Sequence, residues 1–291
     1  MNFFKLIRPK HWIKNLFVVA PLVFSGRFMN ISFIYASLLA FISFCFLSSA
    51  IYILNDIKDA LTDRLHPIKK KRPIAAGLIK PNHALLFAMG LVIISIILGT
   101  FLNWKVLFCL STYLLVNVFY TIKGKNLILI DVFCIAAGFA LRVITGSYAI
   151  SVLPSGWLVT STFFLALFLG FGKRRGELAF SQVNGSEHRK ILKYYDVNLL
   201  GNIMISTGTA AVVMYTLYTL DVRTIEQFGT DKLYYTIPFV VYGIFRYMFL
   251  ILKNDNGDPT EVLLKDKGMI FSVLFWFLTT VLIIYLGGKI S

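Results

Sequence analysis

The stretch that decides the fold is the apolar run ISFIYASLLAFISFCFLSSAIYIL at residues 31–54, which passes directly into NDIKDALTD at Asn55–Asp63. A helix crosses about 30 Å of hydrocarbon with roughly 20 residues, so the apolar run is long enough to span a membrane. The polar sequence that follows it carries three aspartates and an asparagine. These two features predict a transmembrane helix that ends in a carboxylate-rich segment.

The rest of the chain has the same apolar character. Of its 291 residues, 57% are hydrophobic and 15% are charged, against about 25% charged in soluble domains. A mean hydropathy of +0.75 and 27 phenylalanines exclude a soluble protein, and the aromatic content excludes a disordered one. We predict an all-α polytopic membrane protein with nine transmembrane helices in a single integral membrane domain over 1–291. The predicted spans are Leu16–Met29, Ile31–Leu54, Ala84–Leu102, Trp104–Thr121, Leu127–Tyr148, Trp157–Phe171, Val197–Leu220, Leu233–Leu252 and Gly268–Gly287.

The first span is the weakest, because it is short and Pro21 interrupts it. A signal peptide is the alternative for this segment, but no small-residue cleavage pattern follows it. The net charge of +15 supports nine spans, because most of the 29 lysines and arginines then fall on one side. This asymmetry predicts a cytoplasmic N-terminus and cytoplasmic site loops near 55–80, 121–126, 172–195 and 253–267.

The aspartates after the second span predict a metal site. Asn55, Asp59 and Asp63 are spaced four apart, so they share one face of a continuing helix, and Asp56 lies one turn before Asp59. Carboxylates at this spacing repel each other unless a cation lies among them, and hard oxygen ligands favour Mg²⁺. A solvated acidic helix end is the alternative. The basic tract that follows favours binding of a diphosphate; it comprises Arg64, His66, Lys69, Lys70, Lys71 and Arg72.

Other cations follow two further spans on the predicted inner side. Lys123 and Lys125 follow the fourth span, and Lys173 and Arg174 lie beside Glu177 after the sixth. Inner loops are basic in any membrane protein, so topology alone is the alternative explanation. Inside the fifth span, Asp131 and Arg142 are eleven residues apart and so lie on nearly the same helix face. We expect Arg142 to meet a carboxylate or a substrate phosphate, with a helix-joining ion pair as the alternative.

These motifs resemble the UbiA-type intramembrane prenyltransferase superfamily, whose marks are nine spans and an NDxxDxxxD motif. Within it, the chain is similar to the decaprenyl-phosphate phosphoribosyltransferase branch. The segments that carry this closer resemblance are Arg8–Asn15, Asn55–Gly77, Gly172-Lys173-Arg174 with Glu177, and Gly257-Asp258-Pro259 with Asp266.

The resemblance implies Mg²⁺-dependent transfer of 5-phosphoribose from phosphoribosyl diphosphate to a polyprenyl phosphate, for arabinofuranose-containing cell-surface glycans. It places the enzyme in a bacterial inner membrane, with its active site facing the cytoplasm. No nucleic-acid partner is expected, and a homo-oligomer is left open. The implied metal ligands are Asn55, Asp56, Asp59 and Asp63, of which the three aspartates are the catalytic residues. The implied substrate-binding residues are Lys14, Arg64, Lys69, Arg72, Lys123, Arg142, Lys173, Arg174 and Glu177.

The chain departs from the superfamily pattern at one place. Many members carry a second acidic DxxxD motif after the sixth span, where this chain has only Glu177 and, later, Asp196. A second metal site is therefore in question. Two other functions stay open at this point: prenyl transfer from a polyprenyl diphosphate to an aromatic acceptor, and membrane transport. Polar residues at one membrane face disfavour a transporter, whose sites lie near the midplane.

Overall fold

The structure, a computed structural model, describes residues 2–26, 28–65, 69–184, 190–253 and 265–286. Every regular element within these ranges is helical, as the sequence predicted. The α-helices are α1 (Asn2–Leu6), α2 (Ala20–Val23), α3 (Ile31–Leu65), α4 (Pro81–Thr100), α5 (Trp104–Ile122), α6 (Ile130–Ala149), α7 (Gly156–Asn184), α8 (Val197–Leu220), α9 (Val222–Phe228), α10 (Ile237–Lys253) and α11 (Lys267–Leu286). Short 3₁₀ helices cover Pro9–Val18, Lys69–Lys71, Gly124–Asn126, Lys190–Tyr194 and Lys232–Thr236.

Within the described ranges, 8 helices are long and apolar enough to cross a membrane, and they correspond to the second through ninth predicted spans. The predicted first span, Leu16–Met29, is different. Its described part contains the end of the 3₁₀ helix Pro9–Val18 and the four-residue helix α2, which is too short to cross a bilayer. A nine-helix count is therefore not shown. The cytoplasmic orientation of the N-terminus stays a prediction.

Helix α3 is the longest element, at 35 residues. Its apolar part carries buried side chains such as Phe44 and Leu47, and the helix continues without a break through Asn55–Asp63 to Leu65. The acidic motif therefore lies on a helix, as its spacing predicted. Two of its carboxylates, Asp56 and Asp63, are buried.

The chain divides into two compact units, which are described separately. The first comprises Met1–Leu22, Arg27–Lys125 and Leu141–Pro154. In it α3 packs against α4, α5 and the 3₁₀ helix Pro9–Val18. One cluster of buried side chains centres on Ala50, Ile53 and Ala84, and another on Val18, Phe44 and Leu110.

The second unit comprises Val23–Gly26, Asn126–Ala140 and Ser155–Ser291. Here α7 packs along α8, and α10 packs along α11. The core includes Phe168, Phe171, Leu200 and Tyr247. Phe168 and Tyr247 meet edge to face, with ring centroids 5.2 Å apart. The packing therefore joins α7, α8 and α10 through large aromatic side chains.

Candidate active site

The polar residues at the end of α3 occupy a narrow arc of the helix surface. Successive residues advance about 100° around an α-helix, so the four predicted ligands fall within an arc of about 100°. Asn55 lies at one edge of the arc, followed by Asp59 and then Asp63, with Asp56 at the other edge. The same arithmetic puts Asp63 and Asp56 only about 20° apart. The four polar groups thus share one side of the helix, and their partners divide them into two pairs.

Asp56 and Asp63 form one pair, joined by an arginine. The Arg72 guanidinium nitrogen Nη1 lies 3.0 Å from Asp56 Oδ1 and 2.6 Å from Asp63 Oδ2. Arg8 donates to the same Asp56 oxygen through Nη2. Both carboxylates are almost fully buried. Because an unpaired buried charge is strongly destabilising, the contacts with these arginines stabilise the two carboxyl groups at this depth.

Asn55 and Asp59 form the other pair and face the end of α5. The Thr121 hydroxyl donates to Asn55 Oδ1 over 2.8 Å, and Lys125 forms an ion pair with Asp59. Lys58 adds a bond of 3.1 Å to the carbonyl oxygen of Ile122. Asn55, Asp59 and Asp63 therefore share one face of α3, as their spacing predicted, and their role as metal ligands stays a prediction. Asp63 turns to Arg72, because at about 80° from Asn55 it lies closer to Asp56.

Local structure brings the two arginines to α3. Arg8 precedes the Pro9–Val18 3₁₀ helix and has left-handed backbone angles, φ 49 and ψ 62. A non-glycine residue in this region stores strain that its surroundings must hold. The Arg8 guanidinium also lies over the Tyr52 ring, 5.3 Å from the centroid. Arg72 follows the Lys69–Lys71 turn, and its carbonyl accepts from Ala76 N over 2.8 Å, which begins a turn that returns the chain to α4.

The second unit contains a separate charged cluster near the start of α6. Arg174 on α7 donates through Nε to Asp131 Oδ2 at 2.7 Å and through Nη1 to Glu177. Arg174 and Asp131 are fully buried, whereas the Glu177 side chain is 24% exposed. Asp131 Oδ1 has no hydrogen-bond partner among the described residues. Close by, Leu129 N donates to the hydroxyl of Tyr195 over 2.6 Å, and burial raises the pKa of that hydroxyl.

The residues of the first unit fit a divalent cation in part. No group of three or more His, Cys, Asp or Glu side chains in the described ranges is close enough to enclose a metal. Asp56 and Asp63, however, both contact one guanidinium nitrogen, so a positive group already lies between their oxygens. Mg²⁺ commonly takes only one or two protein carboxylates and completes its shell with water and substrate phosphates. Asp56 and Asp63 supply two such carboxylates, which is the part of the Mg²⁺ shell that the protein would provide.

Comparison with known proteins identifies the family of this chain. The model of the "UbiA prenyltransferase family" matches residues 17–278, most of the chain. The chain belongs to the UbiA prenyltransferase family. It is therefore an integral membrane transferase.

Individual relatives narrow the comparison. They include "Decaprenyl-phosphate phosphoribosyltransferase" from Corynebacterium glutamicum, 34% identical over 97% of this chain and 86% of the relative. The protein of the same name from Mycolicibacterium smegmatis is 33% identical over 97% of this chain and 92% of the relative.

A solved UbiA structure shares the fold. The UbiA homolog from Archaeoglobus fulgidus, bound to DMAPP and Mg²⁺, superposes with a TM-score of 0.76 over 98% of this chain and 99% of that one. The two sequences are 19% identical, so this likeness concerns the fold alone. The UbiA-like helical fold predicted from the acidic motif is therefore confirmed.

The remaining predicted site residues of this UbiA-family chain lie in several places. Lys69 begins the turn before Arg72, and Arg64 donates to the carbonyl oxygen of Ala75 over 3.2 Å. Lys123 ends α5 with an exposed side chain, and Lys14 lies half-buried on the Pro9–Val18 helix. Lys173 is half-buried on α7, next to Arg174. Gly257-Asp258-Pro259 and His66 lie outside the described residues.

Arg142 has partners other than those expected. Its Nε donates to Asn15 Oδ1 and its Nη2 to the Tyr113 hydroxyl, each over 2.9 Å. Its helix neighbour Asp131 pairs instead with Arg174, in the other unit. These two contacts are with neutral oxygens, and the expected contact of Arg142 with a substrate phosphate stays a prediction.

Sequence reasoning missed two participants in the site. Arg8 was noted within the Arg8–Asn15 motif and Lys125 among the cations after the fourth span, but neither was predicted to bond to an aspartate of the acidic motif, as each does. A comparison of the negative and positive charges near the motif could have indicated these two residues. Three aspartates at one helix end attract cations from elsewhere in the chain, and Arg8, Arg72 and Lys125 supply them.

Proposed function

We propose that this UbiA-family enzyme transfers 5-phosphoribose from phosphoribosyl diphosphate to a polyprenyl phosphate and releases diphosphate. The observation that carries the proposal is the excess of cations around the α3 motif. Arg8, Arg72 and Lys125 already match the three aspartates in charge. Further cations in the adjoining segments, among them Arg64, Lys69 and Lys123, leave a net positive region that suits a donor with three phosphate groups.

The similarity to two decaprenyl-phosphate phosphoribosyltransferases over nearly the whole chain supports the same choice. It favours this reaction over prenyl transfer to an aromatic acceptor, which would bring a less anionic pair of substrates. Membership of a transferase family likewise favours catalysis over transport.

The proposed residue roles follow from the contacts. Asp56 and Asp63 would hold Mg²⁺, which when bound neutralises charge on the leaving diphosphate. Arg8 and Arg72 would turn from these carboxylates to diphosphate oxygens, because guanidinium groups bind both kinds of oxygen with similar geometry. Asp59 and Lys125 would keep the end of α3 joined to α5. Lys173 stays a proposed donor contact on the strength of the resemblance.

The chemistry needs no general base. The bond between the anomeric carbon and the diphosphate oxygen breaks, and its electron pair leaves with diphosphate. An oxygen of the acceptor phosphate forms the new bond to that carbon. A phosphate monoester is largely ionised at neutral pH, so no proton has to be removed from the attacking oxygen. Cations placed where negative charge develops then stabilise the transition state.

The test is mass spectrometry of the lipid formed by purified protein from phosphoribosyl diphosphate and a polyprenyl phosphate. We expect a phosphoribosylated lipid in the wild type and none with Asp56→Asn. The matched control is Asp231→Asn, an identical chemical change at an exposed residue before α10, which should leave product formation intact. Prenylation of a hydroxybenzoate-like acceptor, without lipid-linked phosphoribose, would refute the proposal.

A further inference from the structure

A buried arginine connects the N-terminal segment to the rest of the first unit. Arg142 on α6 is 5% exposed and donates to Asn15 and Tyr113. Its guanidinium carbon lies 4.9 Å from the centre of the Tyr113 ring and 5.5 Å from that of Phe44. Two ring faces and two oxygens stabilise the charge at this depth, where an ionisable side chain needs such partners.

Asn15 is the residue through which this arginine acts. It is fully buried, and its amide oxygen accepts from Arg142. Its amide nitrogen donates to Ser48 Oγ over 3.1 Å and to Cys45 Sγ over 3.4 Å, both on α3. One side chain of the N-terminal segment therefore bonds to α3 and α6 together.

The 3₁₀ geometry of Pro9–Val18 explains why one edge of the segment makes all these contacts. Residues three apart eclipse in a 3₁₀ helix, so Trp12, Asn15 and Val18 lie in a row. Trp12 Nε1 donates to Ser49 Oγ over 3.1 Å. At the other end of the row, an added Cβ on Gly146 would lie 1.9 Å from the carbonyl oxygen of Val18, so this backbone touches α6 directly.

The residues just before this row include Arg8, which the proposed function places in the active site. Ser49 Oγ donates to the carbonyl oxygen of Ile7 over 2.8 Å, immediately before Arg8. Arg8, which directly precedes the Pro9–Val18 helix, has a left-handed backbone and contacts Asp56. The register of the segment against α3 therefore fixes which α3 residue Arg8 can reach.

We propose that Arg142 is a positioning residue for the reaction. Through Asn15 it locks the N-terminal segment in register with α3, and that register holds Arg8 at Asp56. The proposal rests on the proposed function only in assigning Arg8 and Asp56 to the active site. Asn15 and Arg142 themselves touch no substrate.

The test compares Arg142→Met, Asn15→Leu and the double variant, with Arg142→Lys as the conservative change. The matched control is Arg246→Met, which removes a guanidinium from α10, where its partner is Asp266. All variants carry Cys109→Ala and Cys134→Ala, so that Cys45 is the single thiol. The first readout is alkylation of Cys45 by a membrane-permeant maleimide in detergent, which requires no catalysis. The second is steady-state kinetics with the donor.

We expect both single variants to label Cys45 at least about tenfold faster than the parent, the factor for losing a hydrogen bond to a charged group. Their kcat should fall, and the double variant should be no worse than either single one, because both changes break the same link. Arg142→Lys should restore part of kcat and part of the protection of Cys45 from alkylation. Arg246→Met should match the parent in kcat and in the rate of Cys45 alkylation.

Three results would overturn the proposal. The first is a raised KM with unchanged kcat and protected Cys45 in Arg142→Met, which would make Arg142 a substrate ligand. The second is additive losses in the double variant, and the third is an unchanged labelling rate in either single variant. If the parent protein makes no phosphoribosylated lipid, the proposed function fails, while the labelling result still decides whether Arg142 fixes the segment.

Discussion

Replacing Gly146 by alanine tests whether the N-terminal segment depends on direct backbone contact with α6. The new Cβ would lie 1.9 Å from the carbonyl oxygen of Val18, 2.8 Å from its carbonyl carbon and 3.2 Å from Pro21 Cδ. Close carbon–oxygen contacts in proteins are about 3.3 Å or longer, so the segment or the helix must shift by more than about 1 Å. The nearest atoms belong to the backbone and cannot rotate away. Overpacking of this kind costs about 1–3 kcal/mol.

Gly90→Ala is the matched control, because it adds the same methyl group to another helix of the same unit. Nothing lies within 4 Å of its added Cβ. Alanine in a helix interior is favoured over glycine by about 0.5–1 kcal/mol, so this variant should be as stable as the parent or more stable. Because Gly146→Ala gains the same helix preference, the two variants should differ by the overpacking cost, about 1–3 kcal/mol in the free energy of unfolding. The assay is denaturant unfolding of both variants in one detergent.

Equal stability of Gly146→Ala and Gly90→Ala would refute the close approach of Val18 to α6. A second readout separates local from global effects. Gly146→Ala should also accelerate alkylation of Cys45, because Asn15 covers that thiol and lies three residues before Val18. A destabilised variant with unchanged labelling would place the strain elsewhere in α6.

Three further predictions concern charges. Asp131→Asn should destabilise the protein by about 3–5 kcal/mol, because it leaves the buried Arg174 without its buried partner. Glu177→Gln should cost much less, since Glu177 is partly exposed; equal losses in denaturant unfolding would contradict this order. Hydrogen bonds from Arg246 hold the pKa of Asp266 below its usual value. The stability that Asp266 contributes should thus be complete above the unfolded value of about 3.9 and disappear as pH falls from there through the lowered folded value. Unfolding of the wild type and of Asp266→Asn should converge in acid, and a gap that widens there would be inconsistent with the ion pair. Lys173→Ala should raise the KM for phosphoribosyl diphosphate while leaving stability unchanged, and an unaltered donor titration would remove Lys173 from the site.

Much of the fold could be predicted from the sequence because the membrane requires long apolar runs. Eight of the predicted spans recur as helices, and the spacing of Asn55–Asp63 correctly indicated that α3 continues beyond its apolar part. The acidic motif and the cation that follows it, Arg72, were also found, since both lie within one short stretch of chain. These are local patterns, and periodicity is well suited to detecting them.

Long-range partners could not be predicted in the same way. Arg8 reaches Asp56 across 48 positions, and Arg142 reaches Asn15 across 127. Equal spacing on a helix told us that Asp131 and Arg142 share a side of α6, but not that each meets a different segment. The form of the first predicted span was also missed. It contains the end of the 3₁₀ helix Pro9–Val18 and the four-residue α2 instead of one long helix. Side chains of α3 and α6 bond to Trp12 and Asn15 of that 3₁₀ helix, and no local pattern records those distant bonds.

The exposure of each cation separates the arginines that can exchange partners from those that hold the structure. In the first unit, the side chains of Arg8 and Arg72 are 20% and 29% exposed, although the aspartates they meet are buried. In the proposed reaction a diphosphate would therefore replace the carboxylate as partner of these arginines, and Asp56 and Asp63 would hold Mg²⁺, so that no buried charge is left alone. Arg174 is 2% exposed and Asp131 0%, so the same exchange there would strand an ion in a region of low dielectric. The resemblance named both Arg72 and Arg174 as phosphate contacts. On this ground we propose Arg72 rather than Arg174 for that role, and we expect Arg174 to fix α7 to the start of α6 beside Lys173.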